Sequence, residues 1–460
     1  MRQRADDALR YRDRGGAWAG SSRLHSRSFT ESRSMPHIAV IGAGITGVTT
    51  AYALRERGYD VTVLDRHRYA AMETSFANGG QLSVSNAEVW NKTATILQGL
   101  KWMMRRDAPL LVNPKPSWHK YSWMAEFIGQ IRHYEANTVE TVRLALAARR
   151  QMLAMAERER IDFDLEQRGI LHFYRDAAGF EKALAVNALL RKGGLARDPV
   201  TPEEIRQIEP TLQGTYHGGF FTPSDSTGDI HKFTRGLAAA CARRGVAFLY
   251  DAAIEAIEAI VPAGTGWRIR WRPASRDEGG APVAPGEPLD VDGVVICAGC
   301  ASRDLAAGLG DRLNIYPVKG YSITVQLHTP ESQEAAPQVS ILDDATKIVT
   351  SRLGRDRFRV AGTAEFNGFN RDIRHDRIEP LVRWTREQFP RVATDRVVAW
   401  TGLRPMMPGM LPRVGPGRQP GIFYNTGHGH LGWTLSAATA QIAADAVEGG
   451  LPVEGRRLAA

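Results

Sequence analysis

The sequence is poor in cysteine and has neither a long hydrophobic run nor a cluster of basic residues. Three cysteines in 460 residues are too few for a disulfide framework, and Cys297 and Cys300, near the end of a predicted strand, are interpreted as small buried residues. No metal-ligand spacing stands out, so no metal site is predicted. No apolar stretch reaches 18 residues, which argues against a membrane-spanning helix. The net charge of +9 has no clustered basic face, so we expect no nucleic-acid partner.

The two ends of the chain are expected to lie outside the folded part. Residues 1–34 carry eight arginines and four acids and lack the apolar segment of a signal peptide. We interpret 1–34 as a disordered or mis-assigned tail, with Met35 as the functional start, and 451–460 as a second tail. The low cysteine content and the lack of a leader predict a cytoplasmic location.

The sequence does contain a dinucleotide-binding pattern near its beginning. An apolar run over residues 38–41 predicts a strand buried on both faces, and it leads into Gly42-x-Gly44-x-x-Gly47. Gly42 allows a tight turn, Gly44 lets the backbone approach a pyrophosphate, and Gly47 lets the next helix pack on the strand.

The residues after these glycines complete one βαβ unit. We predict a helix over 45–57, whose positive N-terminus suits a phosphate, and a strand over 60–64 that ends at Asp65. Asp65 lies 18 positions after Gly47, close to the spacing of about 20 expected for the carboxylate that binds a ribose hydroxyl. An acid at this position favours FAD or NAD over NADP.

The remaining pattern predicts a discontinuous two-domain fold of the α/β class. A small, polar loop over 71–81 should lie along the cofactor, and residues 87–160 should be helical. A second buried strand at 294–298 should pair with the first in a parallel sheet, whereas period-two runs between 313 and 366 indicate an antiparallel sheet. NAD dehydrogenases usually keep the dinucleotide domain in one piece, so a split sheet favours a flavin enzyme.

The predicted architecture is a Rossmann-like FAD-binding parallel sheet, split in sequence, together with an antiparallel-sheet substrate domain and a helical cap. The predicted FAD-binding segments are 35–85, 226–312 and 396–450, and the predicted cap and substrate segments are 86–225 and 313–395.

With these stretches placed, the chain resembles the D-amino acid dehydrogenase small-subunit family, within the D-amino acid oxidase and glycine oxidase superfamily, over 35–450. Beyond the glycine fingerprint, the carrying motifs are Glu73-Thr-Ser-x-Ala-Asn-x-Gly-Gln81, Gly99-Leu-Lys-Trp-Met103, Tyr316-Pro-x-Lys-Gly-Tyr-Ser322, Trp400-Thr-Gly-Leu-Arg-Pro-Met406 and Asn425-Thr-Gly-His-Gly-x-Leu-Gly-Trp-Thr434.

The resemblance implies FAD as the cofactor. The adenine and phosphate end would be bound by Ile41, Gly42, Ala43, Gly44, Ile45, Thr46, Gly47 and Asp65. The flavin ring would be bound by Thr74, Ser75, Asn78, Gly79, Gln81, Gly427, His428, Gly429 and Gly432. The last four precede a predicted helix at 435–447, and a positive helix end there would stabilise an anionic reduced flavin.

Two further residues match family positions at the substrate. Arg404 corresponds to the superfamily arginine that binds the substrate carboxylate, a task suited to the two-pronged guanidinium. Tyr321 corresponds to a position near the substrate. One departure is Pro408-Gly409-Met410, where the family typically has Pro-Asp-Gly, and it puts exact transfer of the substrate in doubt.

The resemblance implies oxidative deamination of D-amino acids to 2-oxo acids and ammonia by hydride transfer to flavin. Electrons would pass to a membrane quinone or another carrier, and the Trp- and Arg-containing segment 99–128 would provide a peripheral contact with the inner face of the plasma membrane. Two alternatives stay open. One is oxidation of glycine or of secondary amines such as sarcosine or D-proline, and the other is a flavin-binding partner protein without turnover.

Overall fold

The computed structural model describes residues 35–102, 109–260, 266–276 and 283–451. Both predicted tails, 1–34 and nearly all of 451–460, lie outside this part of the chain. The chain from Met35 onward forms one compact unit.

Helices occur along the whole described chain. They are α1 Ile45–Glu56, α2 Thr93–Trp102, α3 Trp118–Gly129, α4 Tyr134–Glu159, α5 Ala177–Lys192, α6 Pro202–Ile208, α7 Ile230–Arg243, α8 Ser302–Gly308, α9 Pro330–Ala335, α10 His375–Gln388 and α11 Gly432–Gly450. The stretch predicted to be helical holds α2, α3 and α4, interrupted by a short strand, Leu110–Val112, that the sequence did not indicate.

The strands are β1 His37–Ile41, β2 Asp60–Leu64, β3 Gln81–Leu82, β4 Leu110–Val112, β5 Ile170–Tyr174, β6 Asp198–Val200, β7 Gly218–Thr222, β8 Ser226–Thr227, β9 Ala247–Leu249, β10 Ala252–Ala259, β11 Trp267–Pro273, β12 Leu289–Val291, β13 Gly293–Ile296, β14 Tyr316–Gln326, β15 Ser340–Asp343, β16 Ile348–Leu353, β17 Arg357–Phe366, β18 Val397–Met406, β19 Arg413–Pro416 and β20 Ile422–Thr426.

One sheet has the order β19-β20-β13-β1-β2-β9 and is parallel except at β19. Ala39 of β1 pairs with Val294 of β13, which confirms the predicted partner of the first strand. Alternation along β1 sends Ile38 and Val40 toward α1, α7 and α11, and sends Ala39 and Ile41 toward the small sheet β10-β11-β12. Both faces are therefore covered, which explains the continuous apolar run of β1.

The second large sheet has the order β18-β14-β17-β16-β15-β5-β7-β6, with β4 pairing with β17. The pairs β14–β17 and β16–β17 are antiparallel, as the sequence predicted, and the pair β14–β18 at the edge of the sheet is antiparallel as well. The two sheets confirm the predicted fold class. Strand β18 lies within the segment 396–450 but belongs to this second sheet, and the predicted domain boundaries stay a prediction.

Candidate active site

The turn between β1 and α1 is built around two glycines that no larger residue fits. Gly42 has a φ of +107°, and a Cβ there would lie 2.7 Å from the Cys297 carbonyl oxygen. A Cβ on Gly47 would lie 1.8 Å from the carbonyl oxygen of Gly42. Gly44 differs, because a Cβ there would meet only the Ser75 hydroxyl, at 3.6 Å. The turn is thus closed against the protein and open at Gly44.

Asp65 fixes this turn from the end of β2. Its carboxylate accepts the Ala43 N–H at 2.6 Å and the His67 N–H at 2.8 Å. The neighbouring N-terminus of α1 has no side-chain cap, and its Ile45 N–H donates to the Ser75 hydroxyl at 3.0 Å. A helix start with no cap from its own N-cap residue, next to an acid at the end of the second strand, is an arrangement suited to a dinucleotide pyrophosphate.

A cavity of about 1160 Å³ joins this turn to the second sheet. Its lining includes these predicted site residues: Ile41, Gly42, Gly44, Ile45, Thr46, Asp65, Thr74, Ser75, Asn78, Gly79, Gln81, Tyr321, Arg404, Gly427, His428, Gly429 and Gly432. Ala43 and Gly47 are not among the lining residues. Ala43 donates its N–H to Asp65, and Gly47 packs against the turn, so both support the cavity wall from behind.

The loop 74–81 crosses the second sheet with at least one hydrogen bond to each of five neighbouring strands. In order, Thr74 donates to Leu403 of β18, Ala77 accepts from Ser322 of β14, Asn78 accepts from Arg359 of β17, Gly79 accepts from Ser351 of β16, and Gln81 donates to Ser340 of β15. These strands are consecutive in the sheet. The predicted flavin-binding loop therefore joins the dinucleotide turn to the second sheet.

The third part of the cavity wall is the N-terminus of α11. Gly427 and Gly429 have φ values of +79° and +60°, and they turn the chain after β20 into the helix. Residue Leu431 at the helix start provides no side-chain cap, and Gly432 and Trp433 line the cavity. The 19-residue helix thus directs free N–H groups and its positive end into the cavity, as the sequence predicted.

Arg404 lies in a space that a glycine leaves open. A Cβ on Gly320 of β14 would lie 2.4 Å from the guanidinium carbon of Arg404 on β18. The guanidinium donates to the Thr363 carbonyl at 3.0 Å, and burial lowers the pKa of Arg404 to about 10, so it is charged at neutral pH. Within the described residues it has no acidic partner. Trp400 is held in the same way, with its indole over Gly402, which pairs with Gly320.

Tyr321 lines the cavity, but its hydroxyl is directed into a buried polar group. The hydroxyl donates to Glu365 at 2.6 Å, and Lys319 lies 3.3 Å from the same carboxylate oxygen. Burial and the bond to Glu365 raise the pKa of Tyr321 well above its usual range. The phenol stays protonated, and its role at the substrate stays a prediction.

The two histidines of the C-terminal motif have different environments. The His428 ring is hydrogen-bonded to the Thr439 hydroxyl at 2.9 Å, and burial lowers the pKa of His428 to about 3. The His430 ring stacks on Trp90 with the centroids 4.6 Å apart. Burial and the charge of Arg404 lower the pKa of His430 to about 4, although the Asn86 backbone raises it in part. Both rings are therefore neutral at pH 7.

Cys297 and Cys300 have the spacing of a CxxC motif but are free thiols. Cys297 is fully buried beside Thr50, and Cys300 is half-buried beside the Leu403 carbonyl. Burial raises the pKa of both thiols to about 12, so neither is a thiolate at neutral pH.

The departure at Pro408-Gly409-Met410 lies behind the cavity wall. Asn91 donates to the Pro408 carbonyl at 2.9 Å, and Asn137 donates to the Gly409 carbonyl at 3.0 Å. Met410 is buried with a φ of +66°, and none of the three residues lines the cavity. Its influence on the cavity therefore passes through Met407, which lies under Gly427.

Glu73 is a cavity residue to which sequence reasoning gave no role. Its carboxylate is bound by Arg66, by His67 at 2.8 Å and by Arg371 at 2.8 Å, and it thereby joins the dinucleotide turn to the loop after β17. Burial opposes ionisation, but the bonds from His67 and Arg371 and the charge of Arg66 prevail and lower the pKa of Glu73 to about 2.

Glu73→Gln should cost about 2 kcal/mol of unfolding free energy at pH 7, since Arg66 and Arg371 lose their counter-charge and His67 loses its hydrogen-bond partner. The pKa of Glu73 is lower in the folded protein than the value of 4.5 in the unfolded chain, so the ionised carboxylate stabilises the fold above pH 4.5. This contribution is lost as the pH falls from 4.5 toward 2. Urea unfolding of both proteins between pH 7 and pH 3 should show the difference narrowing. A constant difference across that range would contradict the assignment, and Glu203→Gln, on the exposed face of α6, serves as the control.

The geometry defines a class of protein, and the comparisons agree. A family model described as FAD dependent oxidoreductase matches residues 37–446, and the chain belongs to this family. It is an FAD-dependent enzyme, as predicted. The chain is similar to D-amino acid dehydrogenase 3 of Mesorhizobium japonicum, with 62% identity over 92% of this chain and 99% of the relative. It is also similar to D-amino acid dehydrogenase of Paramagnetospirillum magneticum, with 40% identity over 90% and 95%.

Solved structures share the fold at low identity. Glycine oxidase from Geobacillus kaustophilus superposes with a TM-score of 0.68 and 19% identity over 92% of this chain and 96% of that one. L-alpha-glycerophosphate oxidase from Mycoplasma pneumoniae, solved with FAD bound, gives a TM-score of 0.65 and 16% identity over 90% and 95%.

The residues present fit FAD. The turn is open at Gly44, an uncapped helix start and Asp65 lie beside it, and a second uncapped helix start faces the cavity from α11. The turn and α1 would hold the pyrophosphate and Asp65 the ribose, whereas loop 74–81 and residues 427–432 would hold the ring. The individual assignments within this set stay predictions.

Proposed function

We propose that the enzyme oxidises D-amino acids to 2-oxo acids and ammonia, with electrons passing to a quinone or another acceptor that is not oxygen. The observation that carries the proposal is Arg404, a charged guanidinium at the cavity wall that has no acidic partner in the described part of the chain. The names of the relatives with 62% and 40% identity support the same substrate class.

Arg404 is suited to bind the substrate carboxylate through two parallel hydrogen bonds, which fixes the direction of the α-carbon. Bound FAD supplies the acceptor for the hydride that leaves this carbon. The positive charge of Arg404 also lowers the pKa of the substrate ammonium, and this favours the free amine that oxidation requires. The Trp90–His430 pair and Trp400 line the same cavity without a charge of their own.

An anaerobic titration tests the proposal. The visible spectrum of the FAD-loaded protein is followed while D-alanine, L-alanine, D-proline and sarcosine are added in turn. Bleaching by D-alanine alone is the expected result. Bleaching only by D-proline or sarcosine would replace primary with secondary amines, and a flavin that no amine bleaches would refute the proposal.

A membrane quinone as the acceptor requires a contact with the membrane, for which α3 is the candidate. No helix among the described residues is long and apolar enough to cross a bilayer. The outer face of α3 instead exposes Trp118, Tyr121 and Ile128, with 84% of Trp118 accessible, and exposed Lys115 and Arg132 flank the helix. Aromatic residues beside cations are typical of helices that lie in the surface of an anionic membrane.

Trp118→Ser should weaken binding to vesicles of anionic lipid by about tenfold, because the indole loses its apolar contact with the bilayer. Co-sedimentation with vesicles measures the change, and flavin reduction in solution should be unaffected. Ile442→Ser, which removes an exposed apolar side chain from α11, is the control. Equal sedimentation of the two variants and the unaltered protein would exclude this face.

A further inference from the structure

The cavity has an arm that extends beyond the loop 74–81. That loop reaches its last strand at Ser340 of β15, where Gln81 donates its hydrogen bond. The next strand in the sheet is β5, and Leu342 of β15 pairs there with His172. His172, Tyr174 and Arg197 form the interior of the arm, while the start of α5 and the turn after β15 form its mouth.

Arg197 is the unusual residue of this arm. It is 1% exposed, lies in the connection between α5 and β6, and has no ion-pair partner among the described residues. One guanidinium nitrogen donates to the Tyr174 hydroxyl at 3.3 Å, and the guanidinium carbon lies 4.4 Å from the centre of the Phe220 ring. Its Nε has no hydrogen-bond partner in the described part of the chain. A buried guanidinium with an unused donor is costly unless an anion joins it.

The other ionisable groups of the arm do not neutralise Arg197. Asp344 pairs with Lys347 at 2.6 Å, and Glu88, whose charge reaches Tyr174, pairs with Lys92. The Asp176 carboxylate caps α5 by accepting the Gly179 N–H at 2.8 Å. Lys182 at the mouth adds a further positive charge. His172 is held neutral, since burial and the charges of Arg197 and Lys347 lower its pKa well below the usual value. The field in the arm is therefore positive.

The arm is separated from Arg404 by most of the sheet. Arg404 is on β18 and Tyr174 on β5, and five inter-strand spacings of about 4.8 Å place these two strands about 24 Å apart. One small substrate cannot span Arg404 and Arg197. The arm also favours anions over zwitterions, because the ammonium of an amino acid would be repelled by Arg197 and Lys182.

We propose that the arm around Arg197 and Tyr174 is a second carboxylate site, and that it binds the 2-oxo acid product in preference to the amino acid. The ligand class rests on the proposed function, because a 2-oxo acid carries the carboxylate without the ammonium. The guanidinium Nε and the Tyr174 hydroxyl face the carboxylate, and the side chains of Ala183, Val186 and Leu342 are available to its apolar part.

Equilibrium dialysis of the FAD-loaded protein against pyruvate tests this site without turnover. The unaltered protein should bind two pyruvates per flavin, and Arg197→Met should weaken one of them by about 30-fold. Arg191→Met, an exposed arginine at the end of α5, is the control and should keep both. One pyruvate per flavin in the unaltered protein, or two unchanged sites in Arg197→Met, would overturn the proposal.

A second variant keeps the test decisive if Arg197→Met fails to fold. In Arg404→Met the arm is the remaining site, and it should bind pyruvate but not D-alanine, with an affinity that falls as salt rises. Binding of D-alanine as tightly as pyruvate would refute the preference for the 2-oxo acid. If no amine bleaches the flavin but the second pyruvate still binds, the proposed reaction fails and the carboxylate site stands.

Discussion

Arg404→Met lowers kcat/KM for D-alanine by about a thousandfold, and this is the largest effect on activity that we expect. Truncating one member of a buried charge pair costs about 2–5 kcal/mol, and a thousandfold corresponds to about 4 kcal/mol. Methionine keeps most of the volume over Gly320 but cannot bind a carboxylate. Anaerobic stopped-flow measurement of flavin reduction, with D-alanine varied, gives the ratio directly.

The control for this variant is Arg396→Met, which removes a largely exposed arginine directly before β18. It should leave kcat/KM within about twofold, as surface changes usually do. Gly320→Ala adds a second test, because its Cβ would lie 2.4 Å from the Arg404 guanidinium and displace it. Wild-type kinetics in both Arg404→Met and Gly320→Ala would remove Arg404 from the substrate site.

Gly44→Ala should weaken FAD binding by about 100-fold without destabilising the apoprotein. In the protein itself the added methyl group would meet only the Ser75 hydroxyl, at 3.6 Å, which is an ordinary contact. The same methyl group would stand where the pyrophosphate approaches the backbone, and losing two hydrogen bonds to a charged group costs about 3 kcal/mol. Fluorescence titration of apoprotein with FAD measures the affinity.

Substitutions at two other glycines serve as controls for Gly44→Ala. Gly308→Ala adds a methyl group in open space and should change neither affinity nor stability. Gly47→Ala, by contrast, forces a contact of 1.8 Å with the Gly42 carbonyl oxygen, so it should lower the melting temperature of the apoprotein as well. If Gly44→Ala bound FAD as tightly as the unaltered protein, the pyrophosphate would lie elsewhere.

The unit from β1 to Asp65 could be predicted from the sequence because its contacts are local. Buried strand, glycine turn, helix and acid follow one another within 29 residues, and each has its own pattern. The α11 start was predictable for the same reason. Strand β4 could not be predicted, because three residues are too few to show a periodicity. Its partner Ala364 also lies more than 250 residues further along the chain.

Most of the site contacts that could not be predicted from the sequence are contacts between residues on different strands. Resemblance led to Arg404, but the glycine beneath it belongs to β14, and only the register of β14 against β18 brings the two together. The bond of Tyr321 to Glu365 depends on β17 in the same way. Arg197 had no signal at all, since a single arginine after a helix is usually exposed.

The crossing of five strands by loop 74–81 has a mechanical consequence. The loop holds each of the five strands by at least one hydrogen bond, and the first bond is to the residue beside Arg404. No strand from β18 to β15 can slide along its axis without breaking a bond that holds it to the loop. Loop 74–81 and Arg404 therefore move as one rigid body, and their spacing does not depend on hinge bending between the two sheets. Their amide protons should consequently exchange with solvent as a single slow group, and opening of the cavity is left to the segments that this loop does not bind.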